Sequence, residues 1–202
     1  TNWKSNVSIC TWYGIRCEDN NENVAMIMLS GNNLVGTPPK AIFDLPLLNT
    51  LLLDSNEILF SFEGIRNATN LETIDLSSTG LNTLDGIEKS VSLSNLHIAS
   101  NEFSGSIPQQ IFLLPKLQRV TLDFNDFSGT LPGEISTLNS LELFSCASNK
   151  LSGQLPDSLG LLQKLQSLRL QMNALTGTFP ESLAALPALE VIDVSDQEKK
   201  GG

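Results

Sequence analysis

Hydrophobic residues recur along the chain in an eleven-residue pattern that repeats every 22 to 24 residues. The complete pattern is L-x-x-L-x-L-x-x-N-x-L, and the copy that begins at Leu117 reads LQRVTLDFNDF. Its apolar residues alternate with polar ones, which predicts a half-buried β-strand. A fixed period of this kind predicts a stack of similar units around one continuous core. Seven copies begin at Val24, Leu48, Leu71, Leu93, Leu117, Leu141 and Leu165, and an incomplete eighth begins at Leu189.

Each unit is expected to contribute one strand and one return segment. The return segment reads P-x-x-I/L-x-x-L, as in Pro108, Ile111 and Leu114. This three-residue spacing predicts a short 3₁₀-like turn rather than a long helix, and proline suits its first turn. The strand centres are predicted near Ile27, Leu51, Ile74, Leu96, Val120, Phe144, Leu168 and Ile192.

An asparagine follows the strand in most units. Its side chain carries both a donor and an acceptor, so it can satisfy the backbone groups that the turn buries. We therefore predict an internal hydrogen-bonded ladder, weaker where Thr79 and Gln197 replace the asparagine. The predicted ladder residues are Asn32, Asn56, Asn101, Asn125, Asn149 and Asn173.

Four turns share a second signature: FSGSIP, FSGTLP, LSGQLP and LTGTFP, the first of them at Phe103 to Pro108. Together with the eleven-residue pattern, they resemble the plant-type leucine-rich repeat, whose S/T-G-x-I/L-P segment marks the subclass. The resemblance covers residues 24–196 and implies an α/β repeat solenoid. Such a solenoid is a right-handed arc with a parallel β-sheet on its concave face and short 3₁₀ or irregular segments on its convex side. The second and third units depart from the subclass, because ILFSFEGIRNATN and LNTLDGIEKSVS lack this segment.

The start of the chain agrees with this resemblance. The stretch CTWYGIRC resembles the C-x-W-x-G-V-x-C pattern of the N-terminal cap in secreted plant-type repeat proteins, which implies a disulfide between Cys10 and Cys17. An oxidised cap implies an extracellular or cell-surface location. We expect a cap at residues 1–23, the repeat array at 24–196, and a tail at 197–202 where the array stops early.

Two asparagines are predicted glycosylation sites, and one cysteine is predicted to be buried. Asn6 and Asn67 begin N-x-S/T tripeptides and are candidate glycosylation sites in a secreted protein. Cys146 stands where other units have an inward leucine, so we interpret it as a small buried hydrophobe.

Composition and charge exclude several classes of function. Hydrophobic residues make up 41% of the chain and the net charge is −10, so a basic surface for nucleic acid is not expected. His97 is the only histidine, which rules out a histidine-based metal cluster. The chain also lacks a G-x-S-x-G motif and a glycine-rich phosphate loop, so we predict neither an enzyme nor a cofactor.

The outward strand positions are the predicted recognition surface. Most of them are small, whereas exposed aromatic residues and arginines are the types that anchor partners. The outward carboxylates are interpreted as solvated positions rather than an acid–base pair. The candidate partner-binding residues are His97, Arg119, Thr121, Asp123, Phe124, Arg169, Gln171 and Met172.

The family resemblance implies an extracellular scaffold that binds a protein or peptide, as the ectodomain of a leucine-rich repeat receptor does. A membrane tether would then lie outside this chain, and the oligomeric state stays open. The alternative is a secreted inhibitor of a cell-wall-degrading or other extracellular enzyme, similar to polygalacturonase inhibitors, because acidic outward residues would steer a basic partner. An ice-binding role is not favoured, because the outward pair Thr50 and Thr73 is followed by Asn95.

Overall fold

The computed structural model describes residues 8–18 and 22–197. The candidate glycosylation site Asn6 and the last five residues of the predicted tail lie outside the described residues. Within the described ranges the chain forms fifteen strands, most of them short. They are β1 (Ile15–Glu18), β2 (Asn23–Met28), β3 (Val35–Gly36), β4 (Thr50–Leu52), β5 (Glu57–Ile58), β6 (Thr73–Asp75), β7 (Asn95–His97), β8 (Ser104–Gly105), β9 (Arg119–Thr121), β10 (Asp126–Gly129), β11 (Leu143–Ser145), β12 (Lys150–Gly153), β13 (Ser167–Arg169), β14 (Ala174–Leu175) and β15 (Val191–Asp193).

The eight strands predicted from the sequence form one long sheet. Its order is β1-β2-β4-β6-β7-β9-β11-β13-β15, and every neighbouring pair from β2 onward is parallel. Each predicted centre pairs with the next, as Leu96 pairs with Val120. The prediction of an α/β repeat solenoid with a long parallel sheet is confirmed.

The sheet has one further strand that the repeat pattern did not predict: β1 precedes the repeats and pairs with β2 in the antiparallel direction. Gly14, directly before β1, bonds to the end of β2: its φ is +81° and its carbonyl accepts a hydrogen bond from the Met28 N–H at 2.7 Å. A Cβ atom at this glycine would lie 2.3 Å from the Met28 carbonyl oxygen, so no other residue fits. The predicted disulfide between Cys10 and Cys17 is present and links β1 to the 3₁₀ turn Ile9–Thr11.

The return segments are short turns, as predicted. The last of them, α1 (Glu181–Ala184), is α-helical rather than 3₁₀. The 3₁₀ turns lie at Ile9–Thr11, Lys40–Asp44, Ile65–Asn67, Ile87–Lys89, Gln109–Leu113, Gly133–Thr137 and Asp157–Leu161. Two small parallel sheets, β3-β5 and β8-β10-β12-β14, lie between the long sheet and these turns. They are interrupted at the third unit, which has no S/T-G-x-I/L-P segment.

One continuous hydrophobic core lies between the long sheet and the return segments. Inward strand residues such as Leu96, Val120 and Phe144 are fully buried. Phe103 and Phe127 stack in neighbouring units with ring centroids 5.4 Å apart. Because each unit packs on the next, the core holds the outward strand residues in fixed columns.

Cys146 is buried in this core, as predicted. Burial raises the pKa of its thiol, and the negative charge of Asp123 raises it further. The thiol therefore stays protonated at neutral pH, where it behaves as an apolar side chain.

Candidate recognition surface

The ladder of asparagines fixes the turn that follows each strand. The Asn56 Oδ1 atom accepts hydrogen bonds from the N–H groups of Asn32 at 3.0 Å and Leu34 at 2.9 Å. Its Nδ2 atom donates to the carbonyls of Leu29 at 2.9 Å and Leu53 at 2.8 Å. One side chain thus ties its own turn to the preceding unit. Equivalent bonds are made by Asn101, Asn125, Asn149 and Asn173.

Two positions of the ladder differ from this arrangement. Asn32 is exposed, and its Nδ2 atom donates to the Ser30 carbonyl of its own turn at 2.9 Å. Thr79 has a single hydroxyl proton, which it donates to the Leu76 carbonyl at 2.7 Å, so it sends no donor to the preceding unit. The ladder therefore has fewer hydrogen bonds between units at Thr79, as expected for a threonine in place of an asparagine.

The expectation of a weaker ladder at Gln197 is wrong. Its Oε1 atom accepts from the Leu175 N–H at 2.9 Å. Its Nε2 atom donates to the carbonyls of Leu170 at 2.9 Å and Val194 at 3.1 Å. The extra methylene lets the longer amide reach the same set of groups as an asparagine.

The residue before each ladder position has a left-handed backbone conformation. We call these residues the left-handed column: Gly31, Ser55, Ser78, Ser100, Phe124, Ser148, Met172 and Asp196. Glycine adopts this conformation freely and aspartate tolerates it, whereas other residues lose about 1–2 kcal/mol and a bulky side chain there is an outlier. Phe124 (φ 54°) and Met172 (φ 58°) are the two bulky members.

Neither bulky side chain offsets this cost by burial. Phe124 is 62% exposed and Met172 is 52% exposed. They lie two units apart, which is about 10 Å at the usual strand spacing. Ser148 lies between them, and its hydroxyl donates to the Met172 sulfur at 3.4 Å. The two side chains flank a small polar residue.

The outward residues of the long sheet, together with the left-handed column, form what we call the strand face. Its middle column follows the register of the parallel pairs, with His97 beside Thr121 and Arg169 beside Asp193. The His97 Nδ1 and Thr121 Oγ1 atoms form a hydrogen bond of 2.9 Å. These two candidate residues therefore lie together on neighbouring strands.

The interpretation of the outward carboxylates as solvated is wrong for Asp123. Its Oδ1 atom accepts hydrogen bonds from the Ser145 hydroxyl and the Ala147 N–H, both at 2.6 Å. Asp75 is likewise engaged, because its Oδ1 atom accepts from the Ser77 N–H at 2.9 Å. Sequence position identifies these carboxylates as outward, but it does not show that each one accepts a hydrogen bond from a backbone N–H of this protein.

Asp193 shows the electrostatic effect of such bonds. Its Oδ1 atom accepts from the Ser195 hydroxyl at 2.7 Å and from the Ser195 N–H at 3.0 Å. The hydroxyl and then the backbone N–H lower the pKa of this carboxyl, desolvation opposes them, and the charge of Arg169 makes the smallest contribution, which also lowers the pKa. Asp193 is therefore a firmly ionised carboxylate beside a cation.

The arginines of the strand face differ in their surroundings. Arg119 forms an ion pair of 3.5 Å with Glu142, and this pair is too exposed to contribute much stability. Arg169 forms no ion pair within the described residues. Both its outward neighbours on the chain have a buried polar atom, Ser167 Oγ and Gln171 Oε1, that lacks a hydrogen-bond partner among the described residues.

The structure thus brings the candidate residues together at two places. His97 and Thr121 are bonded at one end of the predicted surface, and Arg169, Gln171 and Met172 lie on one unit at the other. Ser148 and Ser167 also belong to the surface, although neither is among the residues predicted to bind a partner. Small polar residues occur at many outward positions, so no sequence signal distinguishes these two.

Asn67 lies away from the strand face, at the end of the 3₁₀ turn Ile65–Asn67, where it is exposed. Among the described residues no group of three or more histidine, cysteine or acidic side chains is placed to hold a metal ion. The described part of the chain also has no helix with the length and hydrophobicity that crossing a membrane requires.

Comparison with known proteins gives a consistent result. The Leucine Rich Repeat family profile matches residues 164–186. A probable inactive receptor kinase of Arabidopsis thaliana is 31% identical over 109 residues, which are 53% of this chain and 14% of that protein. The chain therefore spans only a small part of this relative.

Solved structures of plant receptors share the fold. The plant peptide hormone receptor RGFR1, in complex with RGF2, superposes with a TM-score of 0.71 and 30% identity over 81% of this chain and 27% of that one. The ectodomain of the Arabidopsis receptor kinase HAESA, in complex with an extended IDA peptide hormone, gives a TM-score of 0.78 and 26% identity over 96% and 37%. The chain is a leucine-rich repeat solenoid that resembles part of plant receptor ectodomains.

Proposed function

We propose that this chain is the ligand-recognition part of an extracellular leucine-rich repeat receptor and that it binds a peptide or protein through the strand face. The observation that carries the proposal is the pair Phe124 and Met172. Both are bulky, exposed and held in a backbone conformation that disfavours them. Strained residues of this kind persist where they serve a purpose other than stability.

At these two positions a bulky side chain gains little within the chain itself. Serine occupies the same column at Ser55, Ser78 and Ser100. Replacing serine by phenylalanine or methionine gains little packing here, because more than half of each side chain stays in water. The gain therefore has to come from a partner that covers them, as expected for apolar anchors of an interface.

Polar groups beside Met172 complement this apolar pair. Ser167 and Arg169 lie on β13, and Gln171 follows two residues after Arg169. Arg169 adds donors that a peptide carbonyl or carboxylate accepts.

The comparisons support this class of ligand. The receptor structures that resemble this chain contain peptide hormones, and the disulfide of the cap is typical of an oxidising, extracellular compartment. We assign no catalytic step to the strand face. The inhibitor alternative gains no separate support, because the similar structures named above are receptors.

A matched pair of double variants tests the proposal. Phe124→Ser with Met172→Ser gives both positions the residue that the column uses elsewhere. Leu113→Ser with Leu161→Ser is the control, because these leucines are 64% and 63% exposed on the return segments. Peptides captured by the parent protein from extracellular fluid of its source are identified by mass spectrometry, and a synthetic copy is titrated against each variant.

We expect the strand-face variant to weaken binding of this peptide by about 30-fold or more, as loss of two interface anchors does. Its unfolding temperature should equal or exceed that of the parent, and the control should bind as the parent does. Equal affinity of the parent and the strand-face variant would show that recognition lies elsewhere on the molecule.

A further inference from the structure

A groove of about 530 Å³ lies on the return side of the first three units, away from the strand face. We call it the back groove. Its volume is within the range of pockets that hold small ligands. The charged residues that line it are Lys40, Asp44, Glu63, Arg66, Asp85 and Lys89.

The back groove exists because the second and third units depart from the S/T-G-x-I/L-P pattern. Their return turns, Ile65–Asn67 and Ile87–Lys89, have three residues each, whereas Gln109–Leu113 in the fourth unit has five. Each short turn starts after a left-handed glycine, Gly64 at φ 92° and Gly86 at φ 95°. Both glycines line the groove, so the irregular sequence of these units creates it.

The charges of the groove indicate what kind of ligand fits. Three basic and three acidic side chains line it, so its formal charge is balanced. Lys40 and Glu63 pair at 3.0 Å, whereas Arg66 and Lys89 form no ion pair within the described residues. A balanced groove favours neither an anion nor a cation. It suits a neutral ligand rich in hydroxyl and amide groups, which charged donors and acceptors bind well.

Asn67 lies in the wall of this groove and begins the sequon Asn67-Ala68-Thr69. Its Nδ2 atom donates to the Asp44 Oδ1 atom, another groove residue, at 2.7 Å. Asn67 and Thr69 are both exposed. A sugar attached to this nitrogen would therefore start at the wall of a groove whose chemistry suits a saccharide.

We propose that Asn67 carries an N-linked glycan and that its first sugars occupy the back groove. In the attachment step the Nδ2 nitrogen bonds to C1 of the first sugar of a lipid-linked diphosphate oligosaccharide. The bond between C1 and the diphosphate oxygen breaks, and the lipid diphosphate leaves with its electron pair. Nδ2 loses one proton to a base of the transferase and keeps the other. The proposal rests on the secretory route assumed in the proposed function but not on the ligand of the strand face.

Covalent attachment at Asn67 allows weak contacts to hold the first sugars in the back groove. A ligand linked covalently at the edge of its site has an effective concentration in the millimolar range. Hydrogen bonds from Arg66 and Lys89 to sugar hydroxyls are then enough to keep the first sugars in the groove for most of the time. The glycan would fill the hollow that the two short turns leave.

The test uses protein secreted from a eukaryotic host, with Asn6→Gln as the background so that any glycan reports on Asn67. Intact mass should show one glycan on this protein and on its Thr69→Ser variant. Thr69→Ala should remove the glycan while it leaves the contact between Asn67 and Asp44 intact. Absence of a glycan from the background protein would overturn the proposal.

Enzymatic release of the glycan then reports whether the sugars lie in the groove. If about 90% of molecules hold them there, release from the native protein should be about tenfold slower than from the unfolded protein. Arg66→Ala with Lys89→Ala should remove most of this protection. Lys116→Ala with Lys164→Ala, which removes two exposed cations elsewhere, is the matched control and should retain it.

Equal release rates from the native parent and the Arg66→Ala, Lys89→Ala variant would also overturn the proposal, since the glycan would then lie free in solvent. Peptide binding to the strand face is measured on the same samples. The two proposals can therefore fail separately: loss of glycan protection leaves peptide affinity unchanged, and loss of peptide binding leaves the glycan protected.

Discussion

Asp123 ties two neighbouring strands together through one carboxylate oxygen. That oxygen accepts from the hydroxyl of Ser145, which is buried, and from the backbone N–H of Ala147. Asp123→Ala leaves both donors without their acceptor, so we expect the free energy of unfolding to fall by about 1–3 kcal/mol. Denaturant titration measures it. Glu102→Ala removes an exposed acidic side chain and is the control; an equal loss in the two variants would mean that these bonds contribute nothing.

Asp193 gives a prediction about pH. Because its folded-state pKa is lowered, the carboxyl contributes stability above its unfolded pKa, and this contribution is lost as the pH falls through the lowered folded value. Ser195→Ala removes the hydroxyl bond, the largest cause of the shift, and keeps the backbone bond. We expect the Asp193 pKa in this variant to rise toward its ordinary value, as measured by NMR titration. An unchanged titration would assign the shift to other groups.

The sequence reveals a large side chain at an outward position, but it does not reveal the contacts that this residue makes with the neighbouring unit. Phe124 and Met172 are recognisable from the sequence because their column otherwise holds small or acidic residues. Their strained backbone is not recognisable, because it follows from the turn that the next asparagine fixes. The bonds of Asp123 are equally hidden, since they depend on how the following unit is aligned.

At the scale of elements, the parallel strands were predictable because alternation and a constant period both specify them. The antiparallel strand β1 was not, because it lies before the first copy of the repeat, where the period gives no information. The small sheets behind the turns were missed for another reason. Pairs such as β10 with β12 form between units, and the pattern within one unit does not reveal them.

Two opposite substitutions test how much the side-chain amides of the ladder contribute to the stability of the fold. Asn125→Thr should destabilise the fold by about 1–3 kcal/mol, because the donor to the Ile98 carbonyl of the preceding unit is lost. Thr79→Asn should stabilise it by about 1 kcal/mol, since it restores an amide where the ladder has a hydroxyl. Both changes are measured by denaturant unfolding. Two effects of the same sign would show that the amide contacts do not set ladder strength.

At the scale of the whole molecule, stability is approximately a sum over units and the interfaces between them. The division into a cap at 1–23, an array at 24–196 and a tail at 197–202 stays a prediction. The side chain of Gln197 nevertheless bonds to the array, so the array's hydrogen bonds extend at least one residue beyond the predicted boundary.

The interruption at the third unit has a consequence for how such a gene can change. From the fourth unit onward the period is a constant 24 residues, whereas the earlier spacings are 24, 23 and 22. Unequal crossing-over within the regular half would add or delete one whole unit in frame and keep every ladder and sheet pairing intact. The same exchange across the third unit would join turns of different length. The fourth and later units can thus be duplicated or deleted one at a time. The first three units, with the back groove, are inherited together.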